Sequence, residues 1–178
     1  SGNPVAIATG SSGQVLTSGG AGAAPSFAAA SGGVNTPYFE AYIPSDQTLT
    51  DAVSTLMNYT SERHDSAGAF NTTSKRFIPQ TAGKYYVYFS QSFNAVSTDK
   101  FHSVYVYIKL NGSIVTSSYL DNYDNYTLLV YPSSGSAIVT MNGSSDYIEL
   151  WAYFNVFSGN GKAVSGEYST FGAYKLIE

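Results

Sequence analysis

A chain of 178 residues is long enough for one domain with a sizeable core. Charged residues make up only 11% of it, and its net charge of -4 with no dense basic cluster argues against nucleic-acid binding. It has no cysteine, which excludes disulfides and a thiolate nucleophile, and no apolar run long enough for membrane insertion. The 16 tyrosines and 17 glycines are typical of strands and turns, so we expect an all-β fold.

Residues 1–37 contain no charged side chain and are rich in Gly, Ala and Ser. This composition supplies too few large side chains for a core of its own and is typical of a flexible linker. Two features argue for more defined structure: the apolar patch at residues 15–17, which lies between glycines, and the anchor at residues 25–27. We predict a connector segment over residues 1–37 and a globular domain over residues 38–178.

The first half of the globular part is predicted to contain short strands separated by polar turns. Strands are expected at residues 37–43 and 52–59, with a polar turn at residues 45–50 between them. The charged stretch at residues 60–69 is predicted to be a solvated loop, and residues 72–75 a tight turn.

The central strand follows a corner that begins at Pro79 and ends at Gly83. Its side chains alternate with a period of two, so that apolar residues share one face and tyrosines and serines share the other. The two predicted faces are Tyr85, Val87, Phe89 and Phe93 on the core side, and Tyr86, Tyr88, Ser90 and Ser92 on the outer side.

The second half continues with strands at residues 103–110 and 114–120, joined by a tight Asn111-Gly112 turn. Two further strands are predicted at residues 126–131 and 137–141, since Pro132 and Gly135 are expected to interrupt them.

The last part of the chain is predicted to contain two more strands. These are residues 147–154 and 168–177, with a glycine-rich loop at residues 158–166 between them. Nine or ten strands at such intervals, with no amphipathic helix, are typical of an antiparallel sandwich of the jelly-roll kind.

Tyrosines fall repeatedly on the face opposite the predicted core. A soluble monomer rarely exposes a contiguous apolar patch larger than a few hundred Å², so we expect another copy of the chain to cover these rings. The predicted self-association interface consists of Tyr86, Tyr88, Tyr105, Tyr107, Tyr147, Tyr153 and Tyr174.

No catalytic motif is present, and neither His64 nor His102 lies in a metal-ligand spacing. The loop at residues 119–126 combines tyrosines with the paired acids Asp121 and Asp124. Such a pair could cleave a sugar, hold one by hydrogen bonds and stacking, bind calcium or simply be solvated. We expect no enzyme activity and no cofactor. The predicted receptor-binding residues are Tyr119, Asp121, Asn122, Tyr123, Asp124, Asn125, Tyr126 and Trp151, with residues 158–166 as a lesser candidate.

Residues 10–27 read GSSGQVLTSGGAGAAPSF and resemble a short module of bacteriophage tail-fibre and other virion host-contact proteins. In that module an aromatic residue, often tryptophan, follows the proline, and Phe27 has that place here. In such fibres the module leads into a trimeric C-terminal tip. The resemblance therefore implies a virion protein.

The body resembles the globular head of complement C-one-q and its relatives, which share a ten-stranded jelly roll with the tumour-necrosis-factor cytokines. The landmarks are RF at 76–77 with Pro79, AGKYY at 82–86, LNG at 110–112, SAIV at 136–139, DYIEL at 146–150 and STFGAY at 169–174. This resemblance implies a jelly roll and a homotrimer. Animal members use calcium near the trimer apex, but no matching ligands are found here, and their collagen stalk is missing.

These observations together predict a homotrimeric tip at the distal end of a phage tail fibre, on the virion. It would bind a bacterial surface glycan or protein receptor without covalent chemistry and would join upstream fibre segments. The alternative is a purely structural trimerisation and capping domain.

Overall fold

The computed structural model describes residues 6–30, 33–95, 101–122, 129–157 and 159–177. Every strand pairing within these ranges is antiparallel, and the only helical turn is a short 3-10 helix, Gly166–Tyr168. The predicted all-β class is confirmed. Within the described ranges, no helix has the length and apolar character needed to cross a membrane. The chain divides into two compact units, Ser1–Gly33 and Val34–Glu178.

The first unit contains a two-stranded hairpin of β1 (Gln14–Thr17) and β2 (Ser26–Ala29). Its turns use Gly13, Gly20 and Gly22, whose φ angles of 87°, 91° and 81° favour glycine. Gly10 lies against the ring of Phe27, where a Cβ would come within 2.5 Å of Cγ. The segment therefore adopts a specified turn-and-strand structure.

The second unit contains thirteen strands in its described residues. They are β3 (Tyr38–Tyr42), β4 (Gln47–Thr50), β5 (Val53–Leu56), β6 (Ser61–Asp65), β7 (Phe70–Asn71), β8 (Arg76–Phe77), β9 (Gly83–Ala95), β10 (Phe101–Leu110), β11 (Ser113–Asp121), β12 (Val130–Met141), β13 (Ile148–Val156), β14 (Asn160–Ala163) and β15 (Ser169–Lys175).

These strands form two sheets that pack face to face. The first sheet has the order β4-β14-β9-β15-β3-β6, and β12 pairs with β9 along its other side. The second sheet has the order β11-β10-β13-β8-β7, and β5 also pairs with β13. Each sheet therefore has one inner face toward the core and one outer face away from it.

The alternation predicted for β9 is confirmed, because its apolar residues are buried between the sheets and its outer residues are more accessible. Aromatic rings from both sheets fill one end of the core. Phe39 stacks on Phe70 and on Phe77, with both pairs of ring centroids 4.6 Å apart. Each fully buried side chain of this size contributes about 1.5–3 kcal/mol, so the core provides the main stabilisation of the fold.

Three segments predicted to be turns or loops contain short strands instead. Residues 45–50 contain β4, residues 60–69 contain β6 and residues 158–166 contain β14. β4 and β6 are polar because they lie at the ends of the first sheet's strand order, and β14 is short and glycine-containing. Such strands are defined by pairing with distant residues, which a local pattern does not reveal.

The predicted break at Pro132 and Gly135 is also wrong, since β12 runs through both residues. Pro132 is tolerated because β12 pairs only with β9 among the described strands, and an edge strand leaves one side without ladder hydrogen bonds. Gly135 leaves room for the ring of Phe89, whose Cε1 would lie 2.7 Å from an added Cβ. Both residues therefore fit a continuous strand.

Candidate functional site

The tyrosines predicted to form one interface lie on two different outer faces of the sandwich. Tyr86 and Tyr174 lie on the outer side of the first sheet, whereas Tyr105 and Tyr153 lie on the outer side of the second. Because the sheets pack through their inner faces, the two groups point in opposite directions. We define the β9 face as Tyr86, Tyr88, Ile138 and Tyr174, and the β10 face as Tyr105, Tyr107, Tyr119, Trp151 and Tyr153.

The tyrosines of the β9 face form one ring cluster. The centroid of the Tyr86 ring lies 6.2 Å from that of Tyr88 and 5.5 Å from that of Tyr174. The Tyr88 ring lies over Gly172, where a Cβ would come within 2.5 Å of the ring. The Tyr88 hydroxyl donates a hydrogen bond to Oε2 of Glu40 at 3.1 Å. Burial and the neighbouring Glu40 carboxylate raise the pKa of Tyr88 to about 12, so this ring stays neutral at physiological pH.

Ile138 extends this cluster and was missed by the sequence analysis. It pairs directly with Tyr86 across β12 and β9, so both side chains lie on the same face, and it is 60% exposed. The sequence did contain a signal for this position. Val139 and Met141 alternate into the core, so Ile138, which directly precedes Val139 in the strand, must point outward. The β9 face therefore leaves a large aliphatic side chain in water in the single chain.

One ion pair lies beside the β9 face. Arg63 lies 3.3 Å from Oε1 of Glu40, donates a 3.0 Å hydrogen bond to the carbonyl oxygen of Gly166 and lies 4.8 Å from the ring centroid of Tyr42. The pair places no net charge beside the ring cluster. A partner that covers Tyr88 would therefore bury Glu40 as part of an ion pair and not as an isolated charge.

The β10 face is an array of rings set by cross-strand register. Tyr105 pairs with Tyr119 on one side and with Tyr153 on the other, which places three tyrosines side by side across three strands. The ring of Tyr105 lies nearly parallel to those of Tyr107, at 6.3 Å, and Tyr119, at 5.8 Å, and meets Tyr153 edge-on. Burial, with a smaller effect of Tyr153, raises the pKa of Tyr107. The centre of the face is therefore a continuous array of tyrosine rings.

Trp151 extends the β10 face along β13. The Lys109 ammonium lies 4.2 Å from the Trp151 ring centroid, a distance that gives a cation–π contact. The indole Nε1 is buried and has no hydrogen-bond partner in the part of the chain described. Nearby, the buried Glu149 carboxylate accepts a 3.0 Å hydrogen bond from Arg76, whose guanidinium also lies 3.9 Å from the Tyr147 ring centroid. Tyr147 thus adjoins this face and not the β9 face.

The predicted receptor loop is only partly described. Tyr119 is 63% exposed, and the carboxylate of Asp121 accepts a hydrogen bond of 2.9 Å from the Tyr105 hydroxyl, which holds Asp121 beside the rings. Asn122 is buried and donates a 3.0 Å hydrogen bond to the carbonyl oxygen of Phe101, so its position argues against the predicted receptor contact. The remaining predicted residues, Tyr123, Asp124, Asn125 and Tyr126, lie outside the described residues.

The two histidines lie on different sheets and do not form a shared site. His64 is exposed on β6, and His102 on β10 packs edge-on against Phe157 at 5.2 Å. Within the described ranges, no group of three or more His, Asp and Glu side chains is placed to hold a metal ion. The two aromatic faces are therefore the candidate functional surfaces.

No protein-family model and no curated protein sequence matches the chain. Solved structures do match it. The Eiger TNF of S. frugiperda superposes with a TM-score of 0.54 at 13% identity, covering 79% of this chain and 93% of that one. Murine APRIL, in a crystal structure at pH 5.0, gives a TM-score of 0.58 at 10% identity, with coverages of 78% and 98%. At these identities the likeness shows the fold, and the predicted jelly roll of the TNF kind is confirmed.

Proposed function

We propose that the chain forms a homotrimer and acts as a non-enzymatic receptor-binding tip of a bacteriophage tail fibre, at the distal end of the fibre on the virion. The observation that carries the proposal is the presence of two separate aromatic faces on opposite sides of a TNF-like jelly roll. The phage context is supported by the resemblance of residues 10–27 to the tail-fibre module. Three copies are what the resemblance to complement C-one-q implies.

The β9 face is the surface that we assign to self-association. Ile138 is exposed there beside the cluster of Tyr86, Tyr88 and Tyr174, and an apolar surface of this kind is typical of a subunit contact. In a cyclic trimer each subunit uses two different patches, one for each neighbour. The β9 face would lie toward the axis, where it meets the other two copies.

The β10 face is the surface that we assign to the receptor. Its tyrosine rings offer flat apolar surface to the C–H face of a sugar or to an apolar side chain. The Asp121 carboxylate at its edge can accept further hydrogen bonds from hydroxyl or amide groups of the same ligand. Three such faces on one trimer would turn weak single-site binding into strong adhesion to a host surface that presents many receptors.

Tyr119 provides the most direct test of the receptor surface. Its side chain is exposed, so Tyr119→Ala removes a ring without opening the core, and we expect about tenfold weaker binding of the purified protein to host cells. Tyr168→Ala is a matched control, because Tyr168 is 58% exposed on the 3-10 helix and not on the β10 face.

Equal binding by the two variants and the wild type would show that the β10 face is not the receptor surface. A wild-type protein that forms trimers but does not bind host cells would instead support the structural alternative, a trimerisation and capping domain.

A further inference from the structure

We infer that Tyr105 and Tyr119 form a site of oxidative modification, at which a one-electron oxidant joins the two rings by a carbon–carbon bond and the carboxylate of Asp121 takes up the proton that Tyr105 releases. The inference concerns covalent chemistry within one chain. It goes beyond the proposed function and holds whether or not the β10 face binds a receptor. The observations behind it are the position of the two rings, the hydrogen bond between Tyr105 and Asp121, and the charges at the two ends of the β10 face.

The rings of Tyr105 and Tyr119 lie directly opposite each other on neighbouring strands. Tyr105 in β10 pairs with Tyr119 in β11, so both side chains leave the sheet on the same face. Their ring centroids are 5.8 Å apart and their planes differ by only 15°. Tyr119 is 63% exposed, so an oxidant can reach it and the ring has room to turn toward its neighbour. The carbons beside the two hydroxyl groups can therefore meet by side-chain rotation alone.

Asp121 supplies the proton acceptor that oxidation of a tyrosine requires. A neutral phenol that loses an electron becomes strongly acidic and must also lose its proton. The Tyr105 hydroxyl donates hydrogen bonds to both carboxylate oxygens of Asp121, at 2.9 Å and 3.1 Å. Such charge-assisted bonds are stronger than neutral ones, and the proton needs to move only along them. Tyr105 is therefore easier to oxidise than a tyrosine whose hydroxyl faces water.

The charges at the two ends of the β10 face direct oxidation toward Tyr105. At one end the Lys109 ammonium lies 4.2 Å from the centroid of the Trp151 ring, where its charge opposes the formation of a cationic indole radical. At the other end the negative charge of Asp121 favours the loss of an electron from Tyr105. Tyr107 lies between them, with its ring centroid 6.3 Å from that of Tyr105. Burial raises the pKa of Tyr107, so this ring retains its proton more firmly. Tyr105 is therefore the preferred site of electron loss on this face.

The β9 face offers rings at similar distances but with less negative charge beside them. The ring centroids of Tyr86 and Tyr174 are 5.5 Å apart, and their planes are tilted by 41°. The Tyr88 hydroxyl donates a hydrogen bond to Glu40, but Glu40 also lies 3.3 Å from Arg63. The guanidinium offsets the negative charge of Glu40, which therefore favours electron loss from Tyr88 less than Asp121 favours it from Tyr105. The β9 face thus serves as an internal comparison.

The chemistry balances with hydrogen peroxide as the oxidant, used by a haem peroxidase. Each tyrosine gives up one electron and one proton and becomes a neutral radical. The two radicals couple at ring carbons next to the oxygens, and tautomerisation restores two phenols joined by one new bond. One molecule of hydrogen peroxide takes up the two electrons and two protons and leaves as two molecules of water. The proton from Tyr105 passes through Asp121 to solvent, so the carboxylate is regenerated.

Mass spectrometry of the oxidised full chain tests the site directly. A haem peroxidase and hydrogen peroxide would be added to an equal mixture of unlabelled and isotope-labelled chains, and the digested products analysed. We expect the most abundant cross-link to join Tyr105 to Tyr119, to have lost two hydrogen atoms and to carry the same isotope in both halves. A more abundant cross-link within the β9 face, or one that mostly joins chains of different isotope, would overturn the inference.

Substitutions test what each residue contributes. Tyr119→Phe removes one of the two coupling phenols and should abolish the cross-link, while the far-UV circular dichroism stays that of the wild type. Asp121→Asn keeps the size of the side chain but removes the charge that accepts the proton, so the yield should fall about fivefold, and Asp121→Glu should restore most of it. Glu167→Gln is the matched control and should give the wild-type yield, because Glu167 is an exposed acid on the 3-10 helix. Equal yields from Asp121→Asn and the wild type would contradict the proposed proton transfer.

Discussion

Replacing Ile138 with serine tests the assignment of the β9 face to self-association. The side chain is 60% exposed in the single chain, so its loss should leave the fold intact. Covering its exposed part in an interface would remove about 100 Å² from water per subunit, which corresponds to about 2.5 kcal/mol at roughly 25 cal/mol per Å². Three subunits together would lose about 7.5 kcal/mol, or about 5.5 orders of magnitude in the trimer dissociation constant. The protein concentration at which half of the trimer is dissociated scales as the square root of this constant, so it should rise about 500-fold.

Sedimentation equilibrium over a wide range of protein concentration measures this shift directly. Ile114→Ser is the matched control, because Ile114 is the same residue type, is 57% exposed and lies in β11 of the other sheet. We expect the control to sediment and unfold as the wild type does, and dissociated Ile138→Ser to keep the wild-type far-UV circular dichroism at 25 °C although its unfolding temperature falls with the loss of the trimer. A wild-type protein that sediments as a single chain at micromolar concentration would refute the reasoning. Equal dissociation of the two variants would refute the choice of face.

Two further predictions concern the stability of the jelly roll. An Ala in place of Gly161, which is buried, would overlap the buried ring of Phe154, so Gly161→Ala should lower the free energy of unfolding by about 3 kcal/mol. An unchanged urea midpoint would contradict this packing. The hydrogen bond from Lys162, and after it the one from the Ser165 amide, lowers the pKa of Asp46 below its ordinary value of 3.8. The ionised Asp46 therefore stabilises the fold at pH values above 3.8, and this stabilisation is lost as the pH falls through the lowered pKa of the folded state. Asp46→Asn should therefore cost about 0.5 kcal/mol at pH 7 and progressively less in acid, and a cost that does not shrink below pH 3 would argue against this ion pair.

The central strands could be predicted from the sequence because burial on one side imposes a period of two. In β9, Val87 and Phe89 alternate with Tyr86 and Tyr88, and the pattern is strong enough to identify both faces. The short strands β4, β6 and β14 could not be predicted in this way. These strands are short and polar, and β4 and β6 lie at the ends of the sheet. They are strands because they form hydrogen bonds with residues far away in the sequence, and such bonds leave no local sequence pattern.

The division of the tyrosines between two faces could not be predicted either. Alternation shows that Tyr86 and Tyr105 both point away from the core, but it does not show which sheet each strand joins. That assignment depends on topology, which follows from the packing of the whole chain. The same limit explains Ile138, whose exposed position becomes meaningful only once β12 is placed beside β9.

The opposite orientation of the two aromatic faces has a consequence for how this domain can vary. Substitutions separated by a filled core and sharing no contacts usually have additive effects on free energy. Tyr119 and Trp151 can therefore be exchanged for other side chains while Tyr86 and Tyr174 remain in place. Under the proposed assignment of the two faces, receptor recognition could therefore diversify while the assembly contacts stay constant, which would make the domain a suitable scaffold for selecting new specificities.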